Sequence, residues 1–257
     1  MTGRLDGKVA LITGGSRGIG LEIAKTFRAE GAHLALVARK LEGLTAAREE
    51  LLQCPGDGEV VIHAANAGEP DQATSVVANV VERLGPIDIL VNNAGTNPYF
   101  GPLINIDLAR AEKTHRVNQF GMLAWLRAAS DAGMGERGGV VLNIASVGGL
   151  TTEPGIGYYN GTKAAMIHMT RQLGFELGPK IRINTIAPGV IKTEMARAVW
   201  EVREQTLAAE LPMRRMGLTT DIAPAALFFC SDDSSWITGQ SLVIDGGGIC
   251  APNVFEA

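Results

Sequence analysis

The chain has 257 residues, of which 46% are hydrophobic, and its formal net charge is −4. This length and apolar content allow one large core, and the scattered lysines and arginines form no basic stripe for nucleic acid. The first residues contain no apolar run of signal-peptide length, and no stretch reaches the roughly 18 uninterrupted apolar residues of a membrane span. We therefore predict a soluble, cytoplasmic protein that binds neither nucleic acid nor a membrane.

The cysteines and histidines indicate neither a disulfide framework nor a metal site. The cysteines form no C-x-x-C pair, and the histidines lack the spacing of metal ligands. We expect no bound metal and ordinary buried or surface positions for all seven residues, which are Cys54, Cys230, Cys250, His33, His63, His115 and His168.

Predicted strands and helices alternate from the first residues to about residue 245. An apolar run at 9–12 predicts a buried strand, a glycine-rich turn follows, and an amphipathic stretch at 19–30 predicts a helix. The same unit then repeats. Further strands are predicted at 33–38, 59–64, 87–91, 139–145, 182–187 and 241–244, and further helices at 42–52, at 73–84, through Asn118 to about 132, at 158–177 and at 220–230.

This alternation predicts an α/β fold with a single doubly wound parallel sheet flanked by helices, as in a Rossmann fold. No linker rich in Pro, Ser or Gly interrupts it, and no repeat period is present, so we expect residues 1–257 to form one domain. In such sheets ligands bind beyond the carboxyl ends of the strands. The polar motifs of this chain fall near those ends.

The first predicted strand is followed by the turn Thr13-Gly14-Gly15-Ser16-Arg17-Gly18-Ile19-Gly20. Glycines let backbone N–H groups approach a pyrophosphate at a helix N-terminus, where the helix dipole favours negative charge. A lone glycine pattern is weak, but a position between a strand and a helix is the context of a dinucleotide-binding turn. We predict that function here, and an ordinary tight turn is the alternative.

Tyr159 and Lys163 are four residues apart in a predicted helix, so they project from one face. A cationic Lys163 beside the phenol would favour its ionised form, and lowering the tyrosine pKa from about 10 to roughly 7 requires about 4 kcal/mol. Tyr158 is the rival acid, but it lies about 140° around the helix from Lys163, against about 40° for Tyr159. The alternative is a surface tyrosine with an incidental lysine.

Further polar and glycine motifs occur in order along the chain. The full set is Thr13-Gly14-x-x-x-Gly18-x-Gly20, Asp88 before Asn92-Asn93-Ala94-Gly95, Asn118, Ser146, Tyr159-x-x-x-Lys163 and Pro188-Gly189. In order and spacing these motifs resemble the short-chain dehydrogenase/reductase (SDR) family over essentially the whole chain. Within that family the sequence is most similar to bacterial 3-oxoacyl-carrier-protein reductases and to NADPH carbonyl reductases. The resemblance implies a nicotinamide-dependent oxidoreductase.

The resemblance also implies roles for single residues. Tyr159 is implied to be the catalytic acid/base and Ser146 to hydrogen-bond the substrate oxygen, although a plain turn serine is the alternative. Lys163 is also implied to hold the nicotinamide ribose. Asn118, a residue type disfavoured inside helices, is implied to kink its helix and to order a water of the proton relay, and Asp88 is implied to stabilise the sheet.

The predicted cofactor-binding residues come from the ends of several strands. They are Gly14, Ser16, Arg17, Gly18, Ile19, Gly20, Arg39, Lys40, Asn66, Ala67, Asn93, Ala94, Gly95, Tyr159, Lys163, Pro188, Gly189, Ile191 and Thr193. Asn66-Ala67 stands where the family more often has Asp followed by an apolar residue at the adenine. The change to Asn keeps a hydrogen-bonding group there.

The end of the second strand indicates the choice of cofactor. An acidic residue there would bind the ribose hydroxyls of NAD and repel the extra phosphate of NADP. This chain has Ala38-Arg39-Lys40 instead, and Arg17 is expected to face the same ribose, so two guanidinium groups would clamp the 2′-phosphate. We therefore predict NADP(H), and a solvated helix start is the alternative.

Residues 190–217 are too numerous for an ordinary connection, and loops of this length are usually functional. Their apolar side chains predict a lid that excludes water from the site, with Tyr99, Phe100 and Leu150 as walls on the facing side. Packing of these residues only against the body of the protein is the alternative. The apolar residues of the predicted lid are Met195, Val199, Trp200, Leu207, Leu211, Met213 and Met216.

Together these features predict NADPH-dependent reduction of a carbonyl to an alcohol, with Tyr159 as the acid. The apolar lid suits an acyl chain or a hydrophobic ketone, so a 3-oxoacyl thioester of acyl-carrier protein is one candidate substrate. The alternatives are an NAD(P)-linked dehydrogenase of a hydrophobic secondary alcohol and a catalytically silent NADP-binding regulator. A carrier protein would need a basic patch, for which the candidates are Arg127, Arg137, Arg171 and Lys180.

The family resemblance further implies a homotetramer. Its subunits would meet through the helices that bear Asn118 and Tyr159 and through the C-terminal strand. The closing segment, residues 246–257, would then reach a neighbouring subunit.

Overall fold

The computed structural model of the protein describes residues 3–250, and the strands of this part of the chain form one parallel sheet. They are β1 (Val9–Thr13), β2 (His33–Ala38), β3 (Val60–Ala64), β4 (Ile89–Asn92), β5 (Gly139–Ile144), β6 (Ile181–Pro188) and β7 (Ser241–Ile244). Their order in the sheet is β3-β2-β1-β4-β5-β6-β7. The doubly wound α/β fold predicted from the sequence is confirmed.

Helices cover both faces of this sheet. The helices are α1 (Gly18–Ala29), α2 (Leu41–Leu52), α3 (Pro70–Leu84), α4 (Leu108–His115), α5 (Gly121–Ala129), α6 (Gly135–Arg137), α7 (Gly157–Leu177), α8 (Arg197–Glu210) and α9 (Thr219–Cys230). One core layer contains α1, α2 and α9, and the other contains α3, α5 and α7. Within residues 3–250, no helix combines the length and apolar character needed to cross a membrane.

Side-chain alternation along β1 supplies both core layers. Ala10 and Ile12 pack with α1, α2 and α9, whereas Val9 and Leu11 pack with α3, α5 and α7. All four side chains are buried, because successive residues of a strand point to opposite faces and both faces of this sheet are covered. The double burial explains why β1 is an unbroken apolar run rather than an alternating one.

The strand order reverses between β1 and β4, where Thr13 pairs with Asn92. The connections that follow these strands depart in opposite directions, so a crevice opens at their carboxyl ends. Asp88 holds the opposite ends of the strands together, since its carboxylate accepts hydrogen bonds from the Val9 amide (2.9 Å) and from Arg137 (2.9 Å). These bonds agree with the structural role implied for Asp88.

The predicted long helix through Asn118 is not a continuous α-helix. A π-helical turn at Arg116–Phe120 separates α4 from α5, and a second one at Ser130–Met134 follows α5. A π turn widens the helix locally because its hydrogen bonds span five residues instead of four. Asn118 lies inside the first turn, at the position where the resemblance implied a kink.

Candidate active site

A cleft of about 1270 Å³ opens at the carboxyl ends of the strands around the β1/β4 switch point. All but two of the residues predicted to form the site line it, and the two exceptions are Gly20 and Asn118. This cleft is therefore bordered by the glycine turn, by the ends of β2 and β3, and by the polar residues after β5 and on α7. Among the described residues, no group of three His, Cys, Asp or Glu side chains is arranged to hold a metal ion.

The glycine turn fits the pyrophosphate of a dinucleotide. Gly14 and Gly18 have φ angles of 65° and 58°, in the left-handed region that favours glycine. Helix α1 begins after Arg17, which makes no side-chain cap, and the first turn of α1 contains no acidic residue. The first N–H groups of α1 and the positive end of its dipole are therefore left for an anion.

Gly20 supports this turn without lining the cleft. A Cβ atom at Gly20 would lie 2.4 Å from the carbonyl oxygen of Gly14 and 2.5 Å from Nδ2 of Asn93. The same Asn93 nitrogen donates to the carbonyl oxygens of Thr13 (3.0 Å) and Gly14 (3.1 Å). Gly20 therefore permits close packing of α1, the turn and the end of β4, and the cofactor contact expected of it stays a prediction.

Ser146, Tyr159 and Lys163 meet at the other end of the cleft. Lys163 is buried, its Nζ donates to the carbonyl oxygen of Ile144 at 2.7 Å, and Nζ lies 5.7 Å from the centre of the Tyr159 ring. The Ser146 hydroxyl oxygen accepts a hydrogen bond from the Gly148 amide at 3.2 Å. Only one of the two adjacent tyrosines lines the cleft, and it is Tyr159.

Burial has the largest effect on the pKa values of Tyr159 and Lys163. It raises the pKa of Tyr159 to about 12, with a smaller raising effect of Glu153 and an opposing hydrogen bond to Ser146. Burial also lowers the pKa of Lys163 to about 8. The low pKa expected for Tyr159 is therefore wrong for this arrangement, because desolvation of the phenolate dominates. Tyr159 is protonated at neutral pH, which suits a proton donor.

Asn118 lies behind the cleft rather than in its lining. The side chain is fully buried, its Oδ1 accepts from the Thr96 amide (2.8 Å), and its Nδ2 donates to the Thr96 carbonyl (3.1 Å) and to Thr162 Oγ1 (3.0 Å). These bonds occupy the side-chain amide, and the role of Asn118 in ordering a water of the proton relay stays a prediction. Its Oδ1 and Lys163 Nζ each lie 3.6 Å from the position that a Gly95 Cβ would take.

The opposite rim of the cleft is rich in cations. Arg17, Arg39 and Lys40 are exposed and line the cleft. None of the three takes part in the ion pairs found within residues 3–250. Glu42 also lines the cleft, but the net charge of this rim is still positive. The rim therefore has charge available for an anionic group.

At the adenine end predicted from the sequence, Asn66 shapes its own turn. Its Oδ1 accepts from the Gly68 amide (3.2 Å), and its backbone amide donates to Gln72 Oε1 (2.7 Å). Asn66 and Ala67 both line the cleft. The change from the acidic residue that is more usual in the family therefore keeps a polar group at the cleft wall.

The segment 190–217 borders the cleft only through its first residues. Those in the lining are Val190, Ile191, Thr193, Glu194, Met195 and Ala196. Helix α8 interrupts the segment, and Leu207, Leu211 and Met216 form a separate apolar cluster against Val190 and Trp200. Met213 is largely exposed, and the side chain of Val199 lies outside the part of the chain that the structure describes. Most of the predicted apolar lid thus packs away from the cleft.

The three residues predicted to form a wall opposite the lid do not have that position. Tyr99, Phe100 and Leu150 are absent from the lining within the described chain. The Tyr99 hydroxyl donates to the Pro102 carbonyl (2.8 Å), and the Phe100 ring rests on Gly155, 2.7 Å from where a Cβ would be. Phe100 and Leu150 are exposed, and Tyr99 is bonded within its own loop, so these three residues do not form the predicted wall.

Several residues of the lining were not predicted from the sequence, and Glu153 and Ile156 are the two that lie nearest in the chain to Tyr159. Both belong to the loop between Ser146 and Tyr159. A segment flanked by two residues of one site must pass close to that site, and this spacing is the signal that could have identified them.

Comparison with known proteins agrees with this geometry. The family model described as Enoyl-(Acyl carrier protein) reductase matches residues 14–248. Dehydrogenase/reductase SDR family member 4 of Sus scrofa is 36% identical over 247 residues, which cover 95% of this chain and 88% of that protein. The 7alpha-hydroxysteroid dehydrogenase of Escherichia coli strain K12 is 34% identical over 249 residues, which cover 96% of both chains.

Solved structures show the same relationship. A 7 alpha-hydroxysteroid dehydrogenase complexed with NADH and 7-oxo glycochenodeoxycholic acid superposes with a TM-score of 0.89 and 34% identity, covering 95% of both chains. Levodione reductase superposes with a TM-score of 0.91 and 32% identity, covering 96% of this chain and 100% of that one. The chain therefore belongs to the short-chain dehydrogenase/reductase family and is a nicotinamide-dependent oxidoreductase that acts on alcohol and carbonyl groups.

Proposed function

We propose that the protein reduces a carbonyl to an alcohol with NADPH. The observation that carries the proposal is that Ser146, Tyr159 and Lys163 line the same cleft as the glycine turn and the uncapped start of α1. When bound, the nicotinamide supplies the hydride. The residues of the chain place the substrate and handle its proton.

Tyr159 donates its proton to the carbonyl oxygen as negative charge develops there. Ser146 donates a hydrogen bond to the same oxygen, because its bond from the Gly148 amide uses only the hydroxyl oxygen as acceptor and the hydroxyl proton that faces Tyr159 can turn to the substrate. Lys163, cationic below about pH 8, stabilises the phenolate that remains. Solvent then returns a proton to Tyr159, and the π-helical turn at Asn118 supports a relay on that side.

The preference for NADPH over NADH rests on the cationic rim. Arg17 and Arg39 present guanidinium groups, which pair with phosphate through two parallel hydrogen bonds, and no acidic residue follows β2 directly. An NAD-linked oxidation of a hydrophobic secondary alcohol is the second candidate. It is favoured by the solved relative that binds NADH together with a steroid.

An acyl-thioester substrate stays a prediction with less support. Of the four cations considered for a carrier protein, three pair with acidic side chains: Arg127 with Asp131, Arg137 with Asp88, and Lys180 with Glu136. Paired charges attract an acidic partner weakly. A plain small-molecule ketone therefore suits the surface better than a ketone on a carrier.

We propose that the chain acts as one domain and that residues 190–196 are the part of the predicted lid that covers the substrate. Homotetramer formation is supported by exposed apolar side chains on the elements named for it, which are Phe120, Phe175 and Leu242. In the closing segment 246–257, residues 251–257 lie outside the described part of the chain. The cytoplasmic location stays a prediction.

The test is NADPH oxidation, followed by absorbance, on a panel of small ketones and one 3-oxoacyl-thioester analogue, repeated with NADH. We expect turnover on ketones with kcat/KM higher for NADPH. Turnover of alcohols with NAD alone would favour the second candidate. Tight NADPH binding without turnover on any ketone or alcohol would favour the silent regulator.

A further inference from the structure

Glu153 places a carboxyl group at the substrate end of the cleft. It lies in the irregular segment between Ser146 and α7, and it lines the same cleft as Ser146 and Tyr159. A Cβ built on Gly148 would lie 2.5 Å from Glu153 Oε2, so the carboxyl is folded inward over the backbone that fixes the Ser146 hydroxyl. Glu153 also acts electrostatically on the Tyr159 phenol. The carboxyl is therefore near the reacting groups.

Within the described part of the chain, no cationic side chain pairs with this carboxyl. Glu153 takes part in none of the ion pairs within residues 3–250. Its side-chain neighbour is Asn160, whose Oδ1 lies 2.1 Å from the same Gly148 Cβ position. Burial raises the pKa of Glu153, and the nearby Asn160 side chain has a smaller, lowering effect. The contact with Asn160 is loose, since neither polar atom of this buried amide has a hydrogen-bond partner of ordinary geometry among the described residues.

A carboxylate in this position selects among substrates. It only accepts hydrogen bonds, so it repels carbonyl, carboxylate and phosphate oxygens and attracts hydroxyl or ammonium groups. It is also partly removed from water, and a substrate donor would offset that loss. Since Glu153 lines the same cleft as Ser146 and Tyr159, which hold the reacting oxygen, a donor that meets Glu153 would lie on the part of the substrate beside the carbonyl.

We propose that Glu153 is a specificity-determining residue that selects ketones carrying a hydrogen-bond donor, a hydroxyl or an amino group, on the carbon next to the carbonyl. This inference rests on the proposed carbonyl reduction and narrows its substrate class. The reaction itself is unchanged, since hydride and proton still go to the carbonyl carbon and oxygen. A thioester oxygen in the same place would face the carboxylate, which disfavours 3-oxoacyl thioesters.

Three ketones of nearly equal shape test the inference: α-hydroxyacetophenone, α-aminoacetophenone and propiophenone, which differ in one group beside the carbonyl. For the wild-type protein we expect kcat/KM to favour a donor-bearing ketone over propiophenone by about 10- to 100-fold, the range of a hydrogen bond to a charged group. In Glu153→Leu this ratio should fall to near one. Glu153→Gln separates the two donors, because loss of charge weakens binding of an ammonium more than of a hydroxyl.

Glu112→Gln is the matched control, since Glu112 also lines the cleft but lies on α4, and it should keep the wild-type ratio. Calorimetric binding of the three ketones to the NADP-loaded protein gives the same comparison without turnover. Failure of every ketone to oxidise NADPH would overturn the proposed function, while calorimetry would still test Glu153. Ratios near one in the wild type, or a preference that survives in a Glu153→Leu protein that still binds NADPH, would overturn the inference.

Discussion

Lys163 Nζ donates to the carbonyl oxygen of Ile144 at 2.7 Å, and this hydrogen bond joins α7 to the last residue of β5. Ser146 follows Ile144 by two residues, and Tyr159 precedes Lys163 by one helical turn. The bond therefore helps to set the separation of Ser146 and Tyr159. Lys163 would thus stabilise the Tyr159 phenolate, and it also holds together β5, which ends just before Ser146, and α7, which carries Tyr159.

Tyr159→Phe should abolish carbonyl reduction while leaving the NADPH dissociation constant within about twofold, because the variant lacks only the proton donor. Steady-state kinetics and fluorescence titration with NADPH measure the two quantities. Tyr158→Phe is the matched control, since Tyr158 does not line the cleft, and it should keep most of the activity. Turnover by Tyr159→Phe at the wild-type rate would contradict the assignment.

The fold and most of the site were predictable because each depends on local sequence. Unbroken apolar runs at β1 and β2 mark strands buried on both faces, and the placement of polar residues after strands then follows from the parallel topology. Glycines were less informative: Gly14 and Gly20 look alike in the turn, but only Gly14 lines the cleft. Which face of a turn a glycine presents depends on packing that the sequence pattern does not encode.

The pKa of Tyr159 was predicted in the wrong direction for a similar reason. Spacing on the helix showed that Lys163 is near, but spacing contains no information on desolvation, which raises the pKa of Tyr159 and lowers that of Lys163. Leu207, Leu211 and Met216 of the predicted lid were also misplaced. Helix α8 gives Leu207 and Leu211 partners of their own, so their apolar character reflects packing rather than a substrate wall.

The pH dependence of the reaction should report Lys163. Its pKa is lowered to about 8, so the ammonium is charged below that pH and neutral above it, whereas Tyr159, with a pKa raised to about 12, stays protonated across this interval. We expect kcat/KM for reduction to be level near neutral pH and to fall as pH rises through about 8, because a neutral lysine no longer stabilises the phenolate. A profile that stays level well above pH 8 would show that Lys163 retains its proton there.

Arg39→Ala should weaken NADPH binding about 10- to 100-fold, the loss of a charge-assisted hydrogen bond, and should change NADH binding little. Dissociation constants for both cofactors measure the effect, and their ratio is the informative number. Arg83→Ala is a suitable control, because Arg83 is exposed but does not line the cleft. Equal losses for NADPH and NADH would mean that Arg39 does not contact a 2′-phosphate.

Gly20→Ala should destabilise the protein and weaken binding of both cofactors, although Gly20 itself does not line the cleft. The new Cβ would lie 2.4 Å from the Gly14 carbonyl oxygen and 2.5 Å from Asn93 Nδ2, so α1 or the turn must shift, at a cost of about 1–3 kcal/mol for overpacking. Gly161→Ala is the matched helical control, because nothing lies within 4 Å of its Cβ position, and alanine there should be neutral or stabilise the helix by up to about 1 kcal/mol. Chemical denaturation and NADPH titration measure both variants, and equal stability of the two proteins would show that α1 tolerates a side chain against the turn.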